Sequence, residues 1–343
     1  WLLRSTAITM PSVEKTQHLL SKLASSKILS GIQVTSHVLG GVLNIGTFPL
    51  LSAVIPKNAK YKMRQISGEA AIRGMNTAVL WSPFFVSFAV GQLYLPSQSA
   101  WLGIAFGLLV AFLFNLISIR FLIGRFTLNY LFEAVSCVKP IFPRLLILSI
   151  SVLAVGQIFN KTALNAIVIV IPILVVIQML RRPETTKLII SNLNNLILKS
   201  GDEMLLISVS MFLGSILSGS VEIQNFISNN IGNNLPFWAM IILLPFIVWI
   251  FGLIGIHPII TSAPILSLFG PLLSVWEAAF LMQAHLIGWC AGTATSFTSL
   301  SVLTTAENFR LSISRLVLGP NLLANGCLTF LGAIILIVLN YLL

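Results

Sequence analysis

Long apolar runs alternate with short polar segments along this chain. The pattern is plainest at 101–122, 163–180 and 316–343. A helix needs roughly 20 apolar residues to cross a bilayer core. The pattern predicts spans at 101–122, 143–158, 163–180, 203–220 and 316–343. Two stretches fit no single crossing. Residues 236–251 are apolar, Gly252-Leu-Ile-Gly-Ile-His-Pro258 interrupts them, and a second arm runs to Gly270. Residues 22–56 have the same form, broken at Gly40-Gly-Val-Leu-Asn-Ile-Gly46. Each reads as a re-entrant hairpin, 22–56 and 236–270. Two further runs, 69–92 and 277–305, carry polar interruptions: Gly74-Met-Asn-Thr-Ala-Val-Leu-Trp-Ser-Pro83 and Gly288-Trp-Cys-Ala-Gly-Thr-Ala-Thr-Ser-Phe-Thr-Ser299. A proline inside a helix removes a backbone hydrogen bond and clashes with the preceding turn. These two runs are expected to be discontinuous spans.

Composition settles the setting. The chain has 343 residues, 57% hydrophobic and 8% charged, against about 25% charged in a soluble domain. The expected fold class is an all-α polytopic membrane protein. The net charge of +11 does not point to nucleic acid, because the basic residues sit in short clusters between apolar runs. Lys57, Lys60, Lys62 and Arg64 form one, Arg120 and Arg125 another, Lys139 and Arg144 a third, Arg181, Arg182 and Lys187 a fourth, Arg310 and Arg315 a fifth. That is the positive-inside pattern of cytoplasmic loops. Traced from loop 56–68, it leaves Val221–Asn234, which has no Lys or Arg, on the outside. The first hairpin then opens to the cytoplasm and the second to the outside. Cys137, Cys290 and Cys327 are scattered in apolar context and read as inert thiols, with no metal cluster. No protease signature or phosphate-binding loop occurs, so no enzyme is expected. Trp1 suggests a chain that begins inside an element.

Shifted by 214 residues, the chain meets itself without a gap. Gly41 falls on Gly255, Ala70 on Ala284, Gly74 on Gly288, Ser82 on Ser296 and Ser87 on Ser301. Span 101–122 falls on 315–336. The charge pattern runs the two copies in opposite directions, which is the signature of an inverted-topology repeat in secondary transporters. In that plan broken helices hold the substrate near the midplane, using unwound backbone and helix dipoles. The candidate substrate- or ion-binding residues are Asn44, Thr47, Asn76, Thr77, Ser82, His257, Thr261, Ser262, Thr293, Thr295 and Ser296. A sodium ion is expected near Gly41 and Ser82, or near Gly255 and Ser296. The competing reading is that these hydroxyls only back-bond to their own helices.

Two opposed hairpins, each followed by a discontinuous span and a full span, resemble the ion transporter superfamily. That group includes divalent anion:sodium symporters, citrate carriers and the large membrane subunits of tripartite transporters. The resemblance covers nearly the whole chain. It divides into a truncated span end and interfacial helix (1–21), a first repeat (22–122), a connecting segment with scaffold spans (123–220) and a second repeat core (221–343). Arg182-Pro-Glu…Lys199 looks like the interfacial helix such proteins place before a scaffold span. The symporters' Ser-Asn-Thr signature is absent. The tips here read Leu43-Asn-Ile-Gly-Thr47 and Ile256-His-Pro-Ile-Ile-Thr-Ser262.

His257, at the second tip, either bonds substrate, carries a coupling proton or caps its turn. Glu69 and Arg73 read as an i,i+4 pair at the membrane interface rather than a substrate clamp, since their counterparts Gln283 and Ile287 carry no charge. The resulting expectation is a secondary active transporter of a small solute, an organic anion such as a carboxylate, coupled to Na⁺ or H⁺ by alternating access. The alternatives are an inorganic anion carrier or a cation/proton antiporter of the same fold, or a non-transporting structural membrane protein. Expected partners are the small-molecule substrate, the lipid bilayer and a second copy in a homodimer. The expected location is the bacterial cytoplasmic membrane, with no cofactor beyond the coupling ion.

Overall fold

The computed structural model describes the chain except for residues 1, 8, 25–26, 57, 125–126, 160, 199–200, 228 and 230–234. Trp1, Lys57, Arg125, Lys199 and the end of the uncharged loop after 227 lie outside the described residues. Among the described residues every regular element is a helix. Two short helices, α1 (Leu2–Ala7) and α2 (Pro11–Ser21), precede α3 (Ile28–Leu43), α4 (Thr47–Ser52) and α5 (Tyr61–Thr77). Next come α6 (Val86–Tyr94) and α7 (Ser97–Ser118). The middle of the chain forms α8 (Leu128–Val138), α9 (Phe142–Ile158), α10 (Ala163–Arg181), α11 (Thr186–Leu198), α12 (Gly201–Gly219) and α13 (Val221–Ile227). The last part forms α14 (Phe237–Leu253), α15 (Pro258–Phe269), α16 (Val275–Ala294), α17 (Leu300–Phe309), α18 (Ile313–Leu318) and α19 (Pro320–Leu342).

Three helical stretches among the described residues are long and apolar enough to cross a membrane: Ile28–Ser52, Gln98–Ile123 and Pro320–Leu342. The number rises to five if each bent pair is one span. One pair is α8 with α9, bent by 68°; the other is α10 with 183–198, bent by 112° at Arg182-Pro183. The protein is a transmembrane protein by this measure, and its surface agrees. Phe112 of α7, Ile147 and Ile150 of α9, Leu180 of α10, Phe212 of α12 and Phe330 of α19 all face outward, Leu180 with 77% of its surface exposed. Polar side chains do the reverse. Gln33, Ser36, Glu69, Arg73, Asn76, Gln283, His285, Asn321 and Asn325 are all buried. A soluble protein rarely exposes so much contiguous apolar surface.

The predicted broken spans are not apolar enough to stand out as crossings, and burial explains why. Residues 67–77 of α5 are buried without exception, and so are 278–292 of α16. Protein surrounds them instead of lipid, so they can carry Glu, Arg, Asn and His. The first begins earlier than expected, at Tyr61 rather than 69.

Residue pairings give the direction of the chain around these two helices. Along α3 and α5, Gln33 meets Arg73, His37 meets Thr77, and Gly41 meets Trp81 and Ser82. Numbers rise together, so the two helices run parallel. The chain therefore reverses between Leu43 and Tyr61. The reversal starts at Asn44, whose φ of 51° lies in the left-handed region that asparagine tolerates better than most residues. Thus Ile28–Ser52, although long enough for a single crossing, is broken in the middle. Along α14 and α16, Pro245 meets Gly288, Gly252 meets Gly292, and Gly255 meets Thr298. These helices are also parallel, with a reversal at Gly255, which has φ of 90°.

Close approach within each pair rests on glycine. A β-carbon on Gly74 would collide with Gln33 O, and one on Gly288 would come within 2.8 Å of Pro245 Cα. Gly74→Ala and Gly288→Ala should each destabilise the protein by about 1–3 kcal/mol, the usual range for overpacking. Gly201→Ala, with nothing within 4 Å of the added carbon, should leave the melting temperature in detergent unchanged. Equal melting of all three variants would show that the helix pairs are looser than described.

Candidate functional site

The site grows from two helix breaks and two turns. After Thr77, α5 tightens into a single 3₁₀ turn at Ala78–Leu80 and ends before Pro83. After Ala294, α16 stops, and α17 starts anew at Leu300 with Ser299 as its cap. Each break frees backbone groups that need partners inside the protein.

Hydroxyls at the breaks also serve the turns, donating to their carbonyls. Ser82 Oγ donates to Gly41 O, at the end of α3. Thr298 Oγ1 donates to Gly255 O (3.0 Å), and Ser296 Oγ bonds Thr298 Oγ1 (3.1 Å). The structure thus joins Gly41 with Ser82 and, through Thr298, Gly255 with Ser296. Tryptophans brace both junctions. Trp81 lies against Gly41, where a β-carbon would meet its ring at 2.6 Å. Trp249 Nε1 donates to Thr295 Oγ1 (3.0 Å).

The two breaks also touch each other. Thr293 Oγ1 donates to Asn76 Oδ1 at 2.7 Å, across 217 residues of sequence. Gln283 Nε2 donates to Leu80 O (3.1 Å) inside the first break. His285 Nε2 donates to Ser87 O (2.9 Å), which fixes the proton on Nε2 and leaves Nδ1 without a partner.

A hydrogen-bonded chain runs from the first break into the protein. The Trp81 indole N–H donates to His37 Nε2 (3.2 Å). His37 must then carry its proton on Nδ1, which donates to Thr77 Oγ1 (2.9 Å). Asn115 Nδ2 donates to the same hydroxyl (3.0 Å), and Thr77 passes its own proton to Gly74 O (2.8 Å). Gln33 Nε2 bonds Asn115 Oδ1 and Ser118 Oγ, while its Oε1 accepts from Arg73 Nε (3.3 Å). Arg73 Nη1 then reaches Asn321 Oδ1 at 2.7 Å.

The predicted residues therefore fall into groups. Asn76, Thr77, Ser82 and Thr293 sit at the breaks and tie elements together, Thr293 sharing its hydroxyl with Trp289 O of its own helix, while Ser296 bonds Thr298 within its own loop. Thr261 and Ser262 turn their hydroxyls onto Pro258 O of their own helix, and Thr295 bonds Ala291 O as well as Trp249. Thr47 is buried with its hydroxyl unpartnered. Asn44 forms the first turn. His257 caps α15, its Nδ1 accepting from the Ile259 N–H (3.3 Å), with its ring edge-on to Trp289 at 5.5 Å. Glu69 and Arg73 are buried, at 3% and 2% exposure, and reach different partners. Glu69 Oε1 accepts from Gln65 (2.8 Å) and faces Arg315 Nε (3.7 Å). The interfacial pair expected from their spacing does not form.

The sequence reading missed Gln33, His37, Asn115, Asn321 and Trp81. Each is a polar or amphipathic side chain inside an apolar or buried helix, a placement that marks functional residues in membranes. The signal was there in Asn115, alone in the apolar run of α7, and in Asn321 and Asn325 near the start of α19.

No family model matches the chain, and no curated protein matches its sequence.

The Asn76–Thr293 bond is the direct link between the two breaks and can be measured. A double-mutant cycle with Asn76→Ala and Thr293→Ala, read by thermal unfolding in detergent, should give a coupling of about 0.6 kcal/mol, and no more than about 1.7, as for other interhelical bonds in membranes. Strictly additive effects would mean that the breaks are not joined there.

Proposed function

We propose that this chain is a secondary active transporter of a small organic anion such as a carboxylate. In this reading it works by alternating access, with two inverted-topology repeats, each made of a re-entrant hairpin, a discontinuous helix and a full span. The observation that carries the reading is a brace on two glycine carbonyls 214 residues apart, made by Ser82 in the first half and by Thr298, two residues beyond the equivalent Ser296, in the second. Gly41 O is held by the loop after α5, and Gly255 O by the loop after α16. Within each half the hairpin arm and the broken helix run parallel.

Between the halves the directions oppose. As the first half runs from Asn76 through Ser87 to Ser99, its partners fall from Thr293 through His285 to Val275. The full spans agree with the same relation. Gly107 of α7 packs near Gln283, and Asn321 of α19, 214 residues later, bonds Arg73, one turn beyond Glu69, the equivalent of Gln283.

Broken helices surrounded by protein give transport carriers a site that neutral dipoles line, from which a solute can leave again. Here hydroxyls, amides and backbone carbonyls converge on both breaks. Neutral oxygens of this kind suit a hard cation such as sodium. Gly41 O with Ser82, and Gly255 O with Ser296 and Thr298, are the groups that would hold it as a co-transported ion. The competing cation/proton antiporter needs a buried carboxylate free to titrate. Glu69 is buried, but Gln65 and Arg315 hold it.

Purified protein in proteoliposomes should accumulate a radiolabelled mono- or dicarboxylate when a sodium or proton gradient is imposed. Failure of both gradients to drive any such acid would end the organic-anion reading. Ser82→Ala and Ser296→Ala should each lower uptake by roughly tenfold, a change of about 1.4 kcal/mol, with expression preserved. Wild-type uptake in both would return the two serines to plain helix packing.

Topology has its own test. Cysteines at Lys60 and Arg182 should react with an impermeant reagent only from the cytoplasm, and one at Asn225 only from outside. Labelling of all three from one side would remove the inverted repeat.

A further inference from the structure

Arg73 is the most deeply enclosed charged group among the described residues, and its bonds do not use it up. Nε donates to Gln33 and Nη1 to Asn321, but Nη2 is buried with no partner. Asn321 is fully buried; its Oδ1 accepts from Arg73, and its Nδ2 is also without a partner. The two unused donors each lie one carbon away from the same 2.7 Å hydrogen bond. Both are donors, so neither can satisfy the other.

Asn321 is the second residue of α19, after Pro320 in the first position. The opening turn of a helix leaves backbone N–H groups unpaired, and its dipole favours negative charge. One enclosed carboxylate borders this turn, with Glu69 Oε1 beside Gly319. Glu69, one turn earlier on α5, bonds Gln65 and faces Arg315. The Arg315 side chain is 46% exposed and meets solvent, whereas Arg73 is enclosed by protein and makes no ion pair with a carboxylate among the described residues. An ionised group buried in that way is strongly unfavourable unless an opposite charge joins it.

We infer that Arg73 and Asn321 form a carboxylate-binding site at the N-terminus of α19, one ligand oxygen accepting from Arg73 Nη2 and the other from Asn321 Nδ2. A planar carboxylate matches two donors held side by side on planar groups, and the guanidinium supplies the charge. The site names the recognition group for the organic anion of the transport reading. Binding there does not depend on that reading; only the movement of the bound anion across the membrane does. The site lies within the same polar chain that ends at Trp81 and the first break, so an occupant would be linked to that break through Gln33, Asn115, Thr77 and His37.

The test uses the full chain in detergent, followed by thermal unfolding with sodium acetate, sodium succinate, sodium chloride or sodium sulfate at matched ionic strength. Acetate or succinate should raise the melting temperature saturably in the wild type, and chloride and sulfate should not. Arg73→Gln and Asn321→Leu should abolish the saturable rise. Arg73→Lys keeps the charge but not the fork, and should weaken it by roughly tenfold, as expected for one charge-assisted hydrogen bond. If Arg73→Gln does not fold, Arg73→Lys and Asn321→Leu decide. Equal rises with chloride or sulfate would reduce the site to a nonspecific charge. No rise with any anion would mean that water alone completes it, and an unchanged response in Asn321→Leu would put the ligand elsewhere; each overturns the proposal. Uptake into proteoliposomes separates this site from the transport reading. Carboxylate binding without uptake keeps the site and removes the transporter. Uptake with unaltered concentration dependence in Arg73→Lys and Asn321→Leu keeps the transporter and removes the site.

Discussion

A backbone group freed by a break in a helix has no water to turn to inside a membrane, so protein must bond it. The rest of this structure depends on that constraint. Two helices, α5 and α16, are interrupted, and each interruption faces a turn whose carbonyl a hydroxyl from the break holds: Gly41 O by Ser82, Gly255 O by Thr298. Each of those bonds joins the end of the arm before the turn to the loop after the broken helix. The parallel packing of α3 on α5 and of α14 on α16 brings those ends together, and Gly74 and Gly288 are what allow the backbones to approach.

The same constraint sorts the side chains. Helices that meet lipid, such as α9, α10 and α12, present Leu, Ile, Val and Phe outward. Helices enclosed by these can carry polar groups, provided each finds a partner. Most do. His37 accepts from Trp81 and donates to Thr77, Asn115 bonds both Thr77 and Gln33, and Asn76 accepts from Thr293. A network of this kind fixes one arrangement, because any single bond that opens leaves a buried polar group without a partner. The groups that remain unsatisfied, Arg73 Nη2 and Asn321 Nδ2 among them, are then informative by contrast. These two lie where the protein has supplied donors and no acceptor.

For a carrier, such an arrangement provides both rigidity and a place to change. The hydroxyls of Ser82 and Thr298 hold the breaks against the turns in this conformation. Hydroxyl and carbonyl oxygens exchange partners at little energetic difference, since a bond to a solute or ion replaces a bond within the protein. The Trp81–His37 contact ties the first break to the arm that precedes it, so a shift at the break moves α3 as well.

The sequence by itself determined the setting and the punctuation. Hydropathy and charge scarcity specify helices in a membrane, because both depend only on how far each stretch of chain can bury itself in hydrocarbon. The turns at Asn44 and Gly255 were also legible, because Asn and Gly are the residues that accept a left-handed backbone, and so was the 214-residue echo of Gly41, Gly74 and Ser82. What only the tertiary structure decided is which polar face meets which. Arg73 and Asn321 are 248 residues apart and Asn76 and Thr293 are 217 apart. Spacing along the chain suggested Glu69 as the partner of Arg73, since residues four apart share a helix face. The fold instead sets α19 beside α5, and the shorter path through space, from Arg73 to the first turn of α19, outweighs the shorter path along the sequence.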